Sequence, residues 1–238
     1  MADWKAKRFW KEVSVTEAGD GFAVLLDTRP LKTPAKADLV VPTRLLADMV
    51  ADEWRAQEGE IDPNVMPVTR GANAAIDKVR IQHGEVADLL ADYGDADLLC
   101  YRAESPEELA QRQADGWDPL LDWASNVLSA PLAVRHGIMH APQDATSLRL
   151  LRARVHGLSD FELAAFHDLV SLSGSLILAF AVAERHLDAE TAWGLSRIDE
   201  TYQAELWGED EEAAEAAEIK RQAFFNAAAF FHAVKKTA

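Results

Sequence analysis

The spacing of hydrophobic residues changes once along this 238-residue chain, close to Thr43. Before that point, short runs such as RFWKEVSV and FAVLLD are rich in β-branched and aromatic residues, as β-strands are. After it, Leu46, Val50 and Trp54 recur every four residues, which is the spacing of one face of an α-helix. This change predicts an α+β protein in which a small N-terminal β-containing domain is followed by a larger, all-helical domain.

Residues 1–70 are predicted to form the first domain, with antiparallel strands and one helix. The loop 18–21, AGDG, joins two predicted strands, and its glycines suit the positive φ angles of a hairpin turn. The segment 64–67 is predicted to add a last strand to this sheet. Residues 71–238 are predicted to form the second domain, a bundle of helices.

Three local signals place helices in the second domain. Asp118 is predicted to cap a helix whose first residue is Pro119, because proline suits the first helical position. Ser159 and Glu162 form a capping box, which predicts a helix start between them. The segment 176–183, LILAFAVA, is apolar on every side, so we expect it at the centre of the bundle.

The composition excludes several classes of partner. The chain carries 40 Asp and Glu residues against 24 Lys and Arg, a net charge of −16, whereas nucleic-acid binding depends on clustered cations. The longest uncharged apolar run is too short to cross a membrane, and the first fifteen residues lack the apolar core of a secretory signal. The single cysteine, Cys100, excludes an internal disulfide and fits a reducing compartment. We therefore expect a soluble, cytoplasmic protein that binds neither nucleic acid nor membrane.

The chain lacks the common motifs of enzymes. No GxxxxGK, GxGxxG or HExxH sequence occurs. His136 and His140 are four residues apart, but Gly137 between them disfavours a helix and no third metal ligand is evident. Ser173 and Ser175 lie outside any GxSxG frame and are better explained as the entry of a helix. We expect no catalytic residue, no metal and no cofactor.

The stretch 199–218, DETYQAELWGEDEEAAEAAE, contains nine carboxylates and no basic residue. Gly208 divides it, because glycine commonly ends a helix. One helix is therefore predicted over residues 188–206, and another from Glu209. The carboxylates at 209–212 would lie in the first turn of the second helix, where the helix dipole favours negative charge.

The helix predicted over 188–206 has two faces at about 100° per residue. The face predicted to meet the core consists of Leu195, Ile198, Tyr202 and Leu206. Glu200, Gln203 and Trp207 fall together on another face, with Glu205 on the flank of the apolar one. Aromatic residues among surface charges are frequent interface anchors, so these four are candidate partner-binding residues. For Trp207 the alternative is packing against the next helix, and Asp199 is predicted to bond a neighbouring element.

Several segments, in this order, resemble one protein family: the assembly chaperone that holds the α subunit of the ATP synthase catalytic head before it pairs with the β subunit. The resemblance covers nearly the whole chain and no single segment decides it. The segments are RFWK from Arg8, LDTRPLKTPAK from Leu26, EW at 53–54 followed by Gln57, MPVTR from Met66 with nearby Asn73 and Asp77, DLLCYRAE from Asp97, WDPLL from Trp117, SGSLILA from Ser173 and DETYQAELWGEDEEA from Asp199.

The resemblance implies an N-terminal β-containing domain, a helical C-terminal domain and a function without catalysis, metal or nucleotide. It implies a functional acidic helix that matches Glu200 and Glu205, with Trp207 and Gly208 in the adjoining motif. Mitochondrial members carry a presequence, whereas the first family segment here begins at Arg8, which points to the bacterial, cytoplasmic form. The expected partner is the α subunit of ATP synthase, bound by a monomer.

Two other functions remain open from the sequence. One is a hydrolase that uses paired carboxylates, although Glu200 and Glu205 are about 140° apart around an ideal helix and would not converge on one reacting atom. The other is a scaffold or regulator that binds the assembled ATP synthase instead of a free subunit.

Overall fold

The structure is a computed structural model that describes residues 7–235, and these divide into two compact units. The sheet unit contains residues 7–82, 159–165 and 229–235, and the helical unit contains residues 83–158 and 166–228. The predicted α+β class, with strands first and helices after, is confirmed. The domain boundary predicted after residue 70 remains a prediction.

The sheet unit is built on an antiparallel hairpin. Strands β1 (Val13–Ala18) and β2 (Gly21–Leu26) pair from Val13 with Leu26 to Ala18 with Gly21, and Gly19 takes the positive φ of 58° that the turn requires. The predicted hairpin is therefore confirmed. Two short strands, β3 (Arg29–Pro30) and β4 (Val40–Val41), also pair antiparallel with β2.

Helix α1 (Arg44–Arg55) packs against this sheet with the face predicted from its four-residue spacing. Leu46 and Val50 on that face are fully buried. The Thr43 hydroxyl caps the helix by accepting a hydrogen bond from the Leu46 N–H at 3.2 Å. Trp54 packs edge-on against Trp10, with ring centroids 5.2 Å apart.

The strand predicted over 64–67 is wrong. The chain forms a single 3-10 turn at Pro63–Val65 and then helix α2 (Pro67–Ala74), which continues as a π-helical turn at Ala75–Val79. The cause is Glu53 of α1, whose carboxylate accepts hydrogen bonds from the Val68 and Thr69 N–H groups, both at 2.7 Å. In a strand these two N–H groups would donate to a neighbouring strand. Here they are unpaired donors at the N-terminus of α2, and the carboxylate of another helix caps them.

Helices make up most of the remaining structure. The helical unit contains α3 (His83–Ala91), α4 (Glu107–Val127), α5 (Ala145–His156), α7 (Leu176–Ala183), α8 (Ala189–Ser196) and α9 (Ile198–Trp207), while α6 (Asp160–Ser173) and α10 (Glu211–Val234) contribute residues to both units. A short parallel ladder pairs β5 (Tyr101–Arg102) with β6 (Arg135–His136). None of the helices described in residues 7–235 is both long and apolar enough to cross a lipid bilayer.

The helix start predicted at Asp118 is wrong, because Asp118 and Pro119 lie inside the 21-residue helix α4. Proline removes one backbone hydrogen bond there. The helix continues through it because it is anchored on both sides of that position: the Asp118 carboxylate binds the buried Arg102 guanidinium at 2.6 Å, and Trp117, Leu120 and Leu121 are buried. The capping box at Ser159 and Glu162, by contrast, is confirmed, with the Ser159 N–H donating to the Glu162 carboxylate at 2.9 Å.

The core of the helical unit is helix α7, all eight residues of which are buried, as predicted. Its N-terminus is capped by Ser175, which confirms the interpretation of the serine pair as a helix entry. The fully buried carboxylate of Asp97 lies beside this cap and accepts hydrogen bonds from the Ser175 hydroxyl at 2.7 Å and the Ile177 N–H at 3.0 Å. Nearby Cys100 is buried as well, which raises the pKa of its thiol to about 12 and keeps it protonated.

Replacement of Asp97 by Asn should change how stability depends on pH. Burial raises the pKa of Asp97 from 3.8 to about 6, against the lowering effect of its hydrogen bonds, the strongest of which comes from Ser175. Its stabilising contribution is therefore fully present below about pH 3.8 and is lost as the pH rises through about 6. Relative to wild type, Asp97→Asn should gain on the order of 3 kcal/mol of unfolding free energy between pH 4 and pH 7, at about 1.4 kcal/mol per unit of pKa shift.

Urea denaturation at pH 4, 5.5 and 7 measures this difference. The amide of the variant also places an N–H group near the Ile177 N–H. This lowers the free energy of unfolding of the variant by the same amount at every pH. If the free energy of unfolding changes with pH in the variant as it does in wild type, across the three pH values, the expectation is contradicted.

Candidate functional site

The prediction of one continuous helix over residues 188–206 is wrong. The helix is interrupted at Arg197, shortly before the acidic stretch begins. Helix α8 ends at Ser196, Arg197 leaves helical geometry with φ −117° and ψ 16°, and α9 begins at Ile198. The cause lies in α4: the Trp117 indole N–H donates to the Leu195 carbonyl at 2.8 Å. In an unbroken helix that carbonyl would accept from the residue four positions later.

Helix α4 also sets the orientation of α9. A methyl group at Gly116 would lie 2.9 Å from the side chains of both Leu195 and Ile198. Because glycine has no side chain, these two residues can pack closely against α4. One turn earlier, the Gln113 amide donates to the Asp199 carboxylate at 2.6 Å. This confirms the prediction that Asp199 bonds a neighbouring element.

Arg112 of α4 holds the next turns of α9. Its guanidinium lies over the ring of the buried Tyr202, 5.0 Å from the centroid, and binds the Glu205 carboxylate at 2.6 Å and that of Glu108 at 2.9 Å. The hydrogen bond to Glu205, followed by that to Glu108, raises the pKa of Arg112 above its ordinary value. Glu205 is therefore a paired carboxylate on the side of α9 that faces α4.

The predicted apolar face of this helix is wrong at Leu206, whose side chain is 57% exposed. The row of α9 that meets α4 consists of Asp199, Tyr202 and Glu205. Because α4 presents the charged Arg112 at this level, Glu205 is held against it, and Leu206 is turned toward solvent.

Glu200, Gln203 and Trp207 lie on the exposed side of α9, at the three- and four-residue spacing of one helix face. Glu200 pairs with Arg197 at 2.7 Å, three residues earlier. Trp207 is 84% exposed, so the alternative in which it packs on the next helix is wrong. An indole this exposed leaves a large apolar area in water, next to exposed Leu206.

The rest of the acidic stretch starts helix α10. Gly208 ends α9 with φ 89° and ψ 157°, as predicted, and the Asp210 carboxylate accepts a hydrogen bond from the Ala213 N–H at 3.0 Å. The second helix therefore begins two residues later than predicted, at Glu211, behind its own cap. Glu211 and Glu212 in the first turn suit the helix dipole.

This arrangement offers a surface for a protein more readily than a centre for chemistry. Glu200 and Glu205 are held on different sides of α9 by Arg197 and Arg112, so their carboxylates do not converge. Within residues 7–235, no three His, Cys, Asp or Glu side chains are grouped as metal ligands. An exposed tryptophan surrounded by carboxylates is instead typical of an interface anchor.

Sequence reasoning missed the two arginines that hold these carboxylates. Arg197 could have been found, because it precedes Glu200 by three residues, a spacing at which side chains meet on a helix. Arg112 could not, since 93 residues separate it from Glu205 and no local pattern connects them.

Comparison with known families supports the resemblance seen in the sequence. The model of a family described as ATP12 chaperone protein matches residues 7–125, half of the chain. The chain belongs to the ATP12 chaperone family. The match ends before α8, so the family model does not include the α9 surface.

Relatives of the ATP12 chaperone family cover the remaining residues as well. The mitochondrial protein atp12 of Schizosaccharomyces pombe is 30% identical over 222 residues, which span 88% of this chain and 76% of that protein. The crystal structure of Atp12 from Paracoccus denitrificans is 52% identical, covers 98% of this chain and 100% of its own, and superposes with a TM-score of 0.95. A mutant of the same bacterial protein gives 51% identity and a TM-score of 0.96 over the same shares. Membership confirms the predicted resemblance to an ATP synthase assembly chaperone.

Gly208 should be required for the exit from α9. Its φ of 89° with ψ of 157° lies in a region that essentially only glycine adopts, so Gly208→Ala should lower the free energy of unfolding by roughly 1–3 kcal/mol. Gly194 provides the matched control: it lies inside α8 with open space at its Cβ position, so Gly194→Ala should be neutral or stabilising. Urea denaturation of both variants checks this, and equal effects of the two substitutions would refute it.

Proposed function

We propose that this ATP12-family chaperone binds the unassembled α subunit of ATP synthase and covers the surface that later pairs with the β subunit. The observation that carries the proposal is the exposed indole of Trp207, 84% accessible, among carboxylates at the junction of α9 and α10. Water-exposed tryptophan is costly to leave uncovered, and its burial contributes strongly to protein interfaces.

The proposed contact residues are Glu200, Gln203 and Trp207, with Glu205 beside them. Both glutamates already form ion pairs in the free protein, with Arg197 and Arg112. These pairs are partly exposed and contribute little to stability, so a basic group of the client can replace the arginine at small cost. Charge of this kind accelerates capture and discourages wrong partners while adding limited affinity, which suits a chaperone that must release its client.

We further propose that the chain acts as a monomer in the cytoplasm, without catalysis, cofactor, nucleic acid or membrane. The separated carboxylates on α9 argue against a hydrolase that needs Glu200 and Glu205 together. A regulator of the assembled ATP synthase differs from the proposed chaperone in one measurable property. It would bind the complete enzyme in preference to the free α subunit.

Substitutions on the exposed side of α9 should weaken capture of the isolated α subunit. Trp207→Ala removes the anchor and should weaken binding by roughly tenfold or more, while Trp207→Phe should retain part of it. Glu200→Lys reverses one charge and should slow association, most clearly at low salt. Glu58→Lys, an equal charge change at an exposed residue of the sheet unit, is the matched control and should leave capture unchanged.

Immobilised α subunit and surface-based binding kinetics give these rates, with circular dichroism to verify folding. Unchanged capture by folded Glu200→Lys and Trp207→Ala variants would remove these residues from the site.

The protein should suppress aggregation of isolated α subunit at equimolar concentration without ATP. Covering an apolar pairing surface requires only binding, so no nucleotide is needed. Light scattering during dilution of α subunit from denaturant measures the effect, with the Trp207→Ala variant as the weakened comparison. A requirement for ATP, or protection of the assembled enzyme alone, would favour the other functions over the proposed one.

A further inference from the structure

Arg112 of α4 is shared between carboxylates of two helices. One terminal nitrogen of its guanidinium, Nη1, donates to the Glu205 carboxylate of α9 at 2.6 Å, and the other, Nη2, donates to the Glu108 carboxylate of α4 at 2.9 Å. Because the two bonds use different nitrogens, either one can break while the other remains. Arg112 can therefore keep a carboxylate partner when another group takes Glu205.

The pair with Glu108 forms within one helix. Glu108 precedes Arg112 by four residues, the spacing at which a glutamate and a basic side chain meet on a helix surface. Glu108 also lies in the first turn of α4, where the helix dipole favours a carboxylate. The ring of Tyr202 gives the guanidinium a further contact, 5.0 Å from the centroid. These two contacts of Arg112 do not depend on Glu205.

The carboxylate of Glu205 can be reached from solvent. Its side chain is 49% exposed, and among residues 7–235 Arg112 is the only group that bonds it. A carboxylate accepts several hydrogen bonds, so a second cation can approach before Arg112 leaves. The pair that occupies Glu205 lies partly in water and is therefore weak.

The start of α9 does not depend on this pair. It is fixed by hydrogen bonds that the Trp117 indole and the Gln113 amide of α4 donate to residues 195–199. Both bonds lie at least six residues before Glu205 in the chain. Loss of the pair with Arg112 therefore leaves the start of α9 in place.

The neighbouring pair of Glu200 with Arg197 has no second acceptor. Among the residues that the structure describes, Arg197 binds one carboxylate, that of Glu200 at 2.7 Å, and its guanidinium otherwise lies over the ring of Trp193. Displacing Arg197 from Glu200 leaves the guanidinium without an ion pair. Arg112 differs, because it retains Glu108.

We propose that Arg112 is a resident competitor for Glu205: a basic side chain of the client takes its place on binding, and Glu108 then holds the displaced guanidinium. The inference rests on the proposed function, since it concerns the same client and the same helix. It adds the group that limits the affinity of the Glu205 contact. It also specifies the chemistry of the client group, a guanidinium or an ammonium, because Glu205 already binds a cation in the free protein.

A competitor of this kind favours release of the client. Arg112 is attached to α4 beside Glu205, so its effective concentration there stays high while the client is bound. When the client's cation moves away, Arg112 restores the pair. The main consequence is faster dissociation, because contacts within one interface act mostly on the dissociation rate.

Replacement of Arg112 by Gln should tighten capture of the isolated α subunit. Loss of the competitor should slow dissociation roughly two- to fivefold, as for a partly exposed ion pair. Arg152→Gln is the matched control. The Arg152 side chain is 42% exposed, against 39% for Arg112, and also binds two carboxylates, those of Asp88 and Asp92. It removes the same charge from a residue with no partner on α9, so dissociation should be unchanged.

Replacement of Glu108 by Gln should act in the opposite direction. Arg112 then loses its second acceptor and stays on Glu205, so the client should dissociate roughly twofold faster. Glu107→Gln, which removes the same charge from an exposed residue that does not bond Arg112, is the matched control. Because Glu108 is exposed, its variant should fold and decides the question even if Arg112→Gln does not fold.

The effect of Arg112 should vanish when Glu205 is replaced. In a Glu205→Gln background, Arg112→Gln should leave the dissociation rate unchanged, because the carboxylate for which Arg112 competes is absent. An effect of Arg112 on the orientation of α9 through Tyr202 would persist in that background, and its persistence would overturn the competition.

Binding kinetics on immobilised α subunit, with circular dichroism to verify folding, separate this inference from the proposed function. If Trp207→Ala weakens capture while Arg112→Gln leaves dissociation unchanged or speeds it, the competition is overturned and the α9 site stands. Equal effects of Arg112→Gln and Arg152→Gln would overturn it as well. If Arg112→Gln alone slows dissociation and Trp207→Ala changes nothing, the competition stands and the indole is removed from the site. If wild type does not capture the α subunit, both fail.

Discussion

The contact of helix α4 with α9 determines what the helical unit presents to solvent. The Trp117 indole N–H donates a hydrogen bond to the Leu195 carbonyl and ends α8. Gly116 leaves room for the side chains of Leu195 and Ile198. The Gln113 amide donates to the Asp199 carboxylate. These contacts fix the rotation of α9 about its own axis. Glu200, Gln203 and Trp207 point into solvent because the opposite row is held against α4. The exposed indole is thus a consequence of α4, about 80–90 residues earlier in the chain.

The energetics of this contact differ along its length. Near Trp117 and Tyr202 the side chains are buried, and apolar burial contributes about 25 cal/mol per Å² there. Toward the end of α9, the Arg112–Glu205 and Arg197–Glu200 pairs are partly exposed, and pairs of this kind contribute little. The helix is therefore held firmly at its start and weakly at the end that carries Trp207. A partner can reorganise the weak end without disturbing the core.

The sequence predicted the features whose causes are local. The hairpin at Gly19, the capping box at Ser159 and the helix end at Gly208 each depend on residues within a few positions. In each case the geometry follows from the chemistry of one or two side chains.

The predictions that failed depend on contacts between distant residues. Glu53 converts the strand predicted over 64–67 into a helix start, Arg102 stabilises α4 through the predicted start at Asp118, and Arg112 selects Glu205 over Leu206. Hydrophobic spacing gave the α9 face only in part, because a charged neighbour can hold a polar residue where the pattern expects an apolar one. The candidate residues of the α9 site could be predicted from residues 199–208, but the contacts that hold α9 against α4 could not.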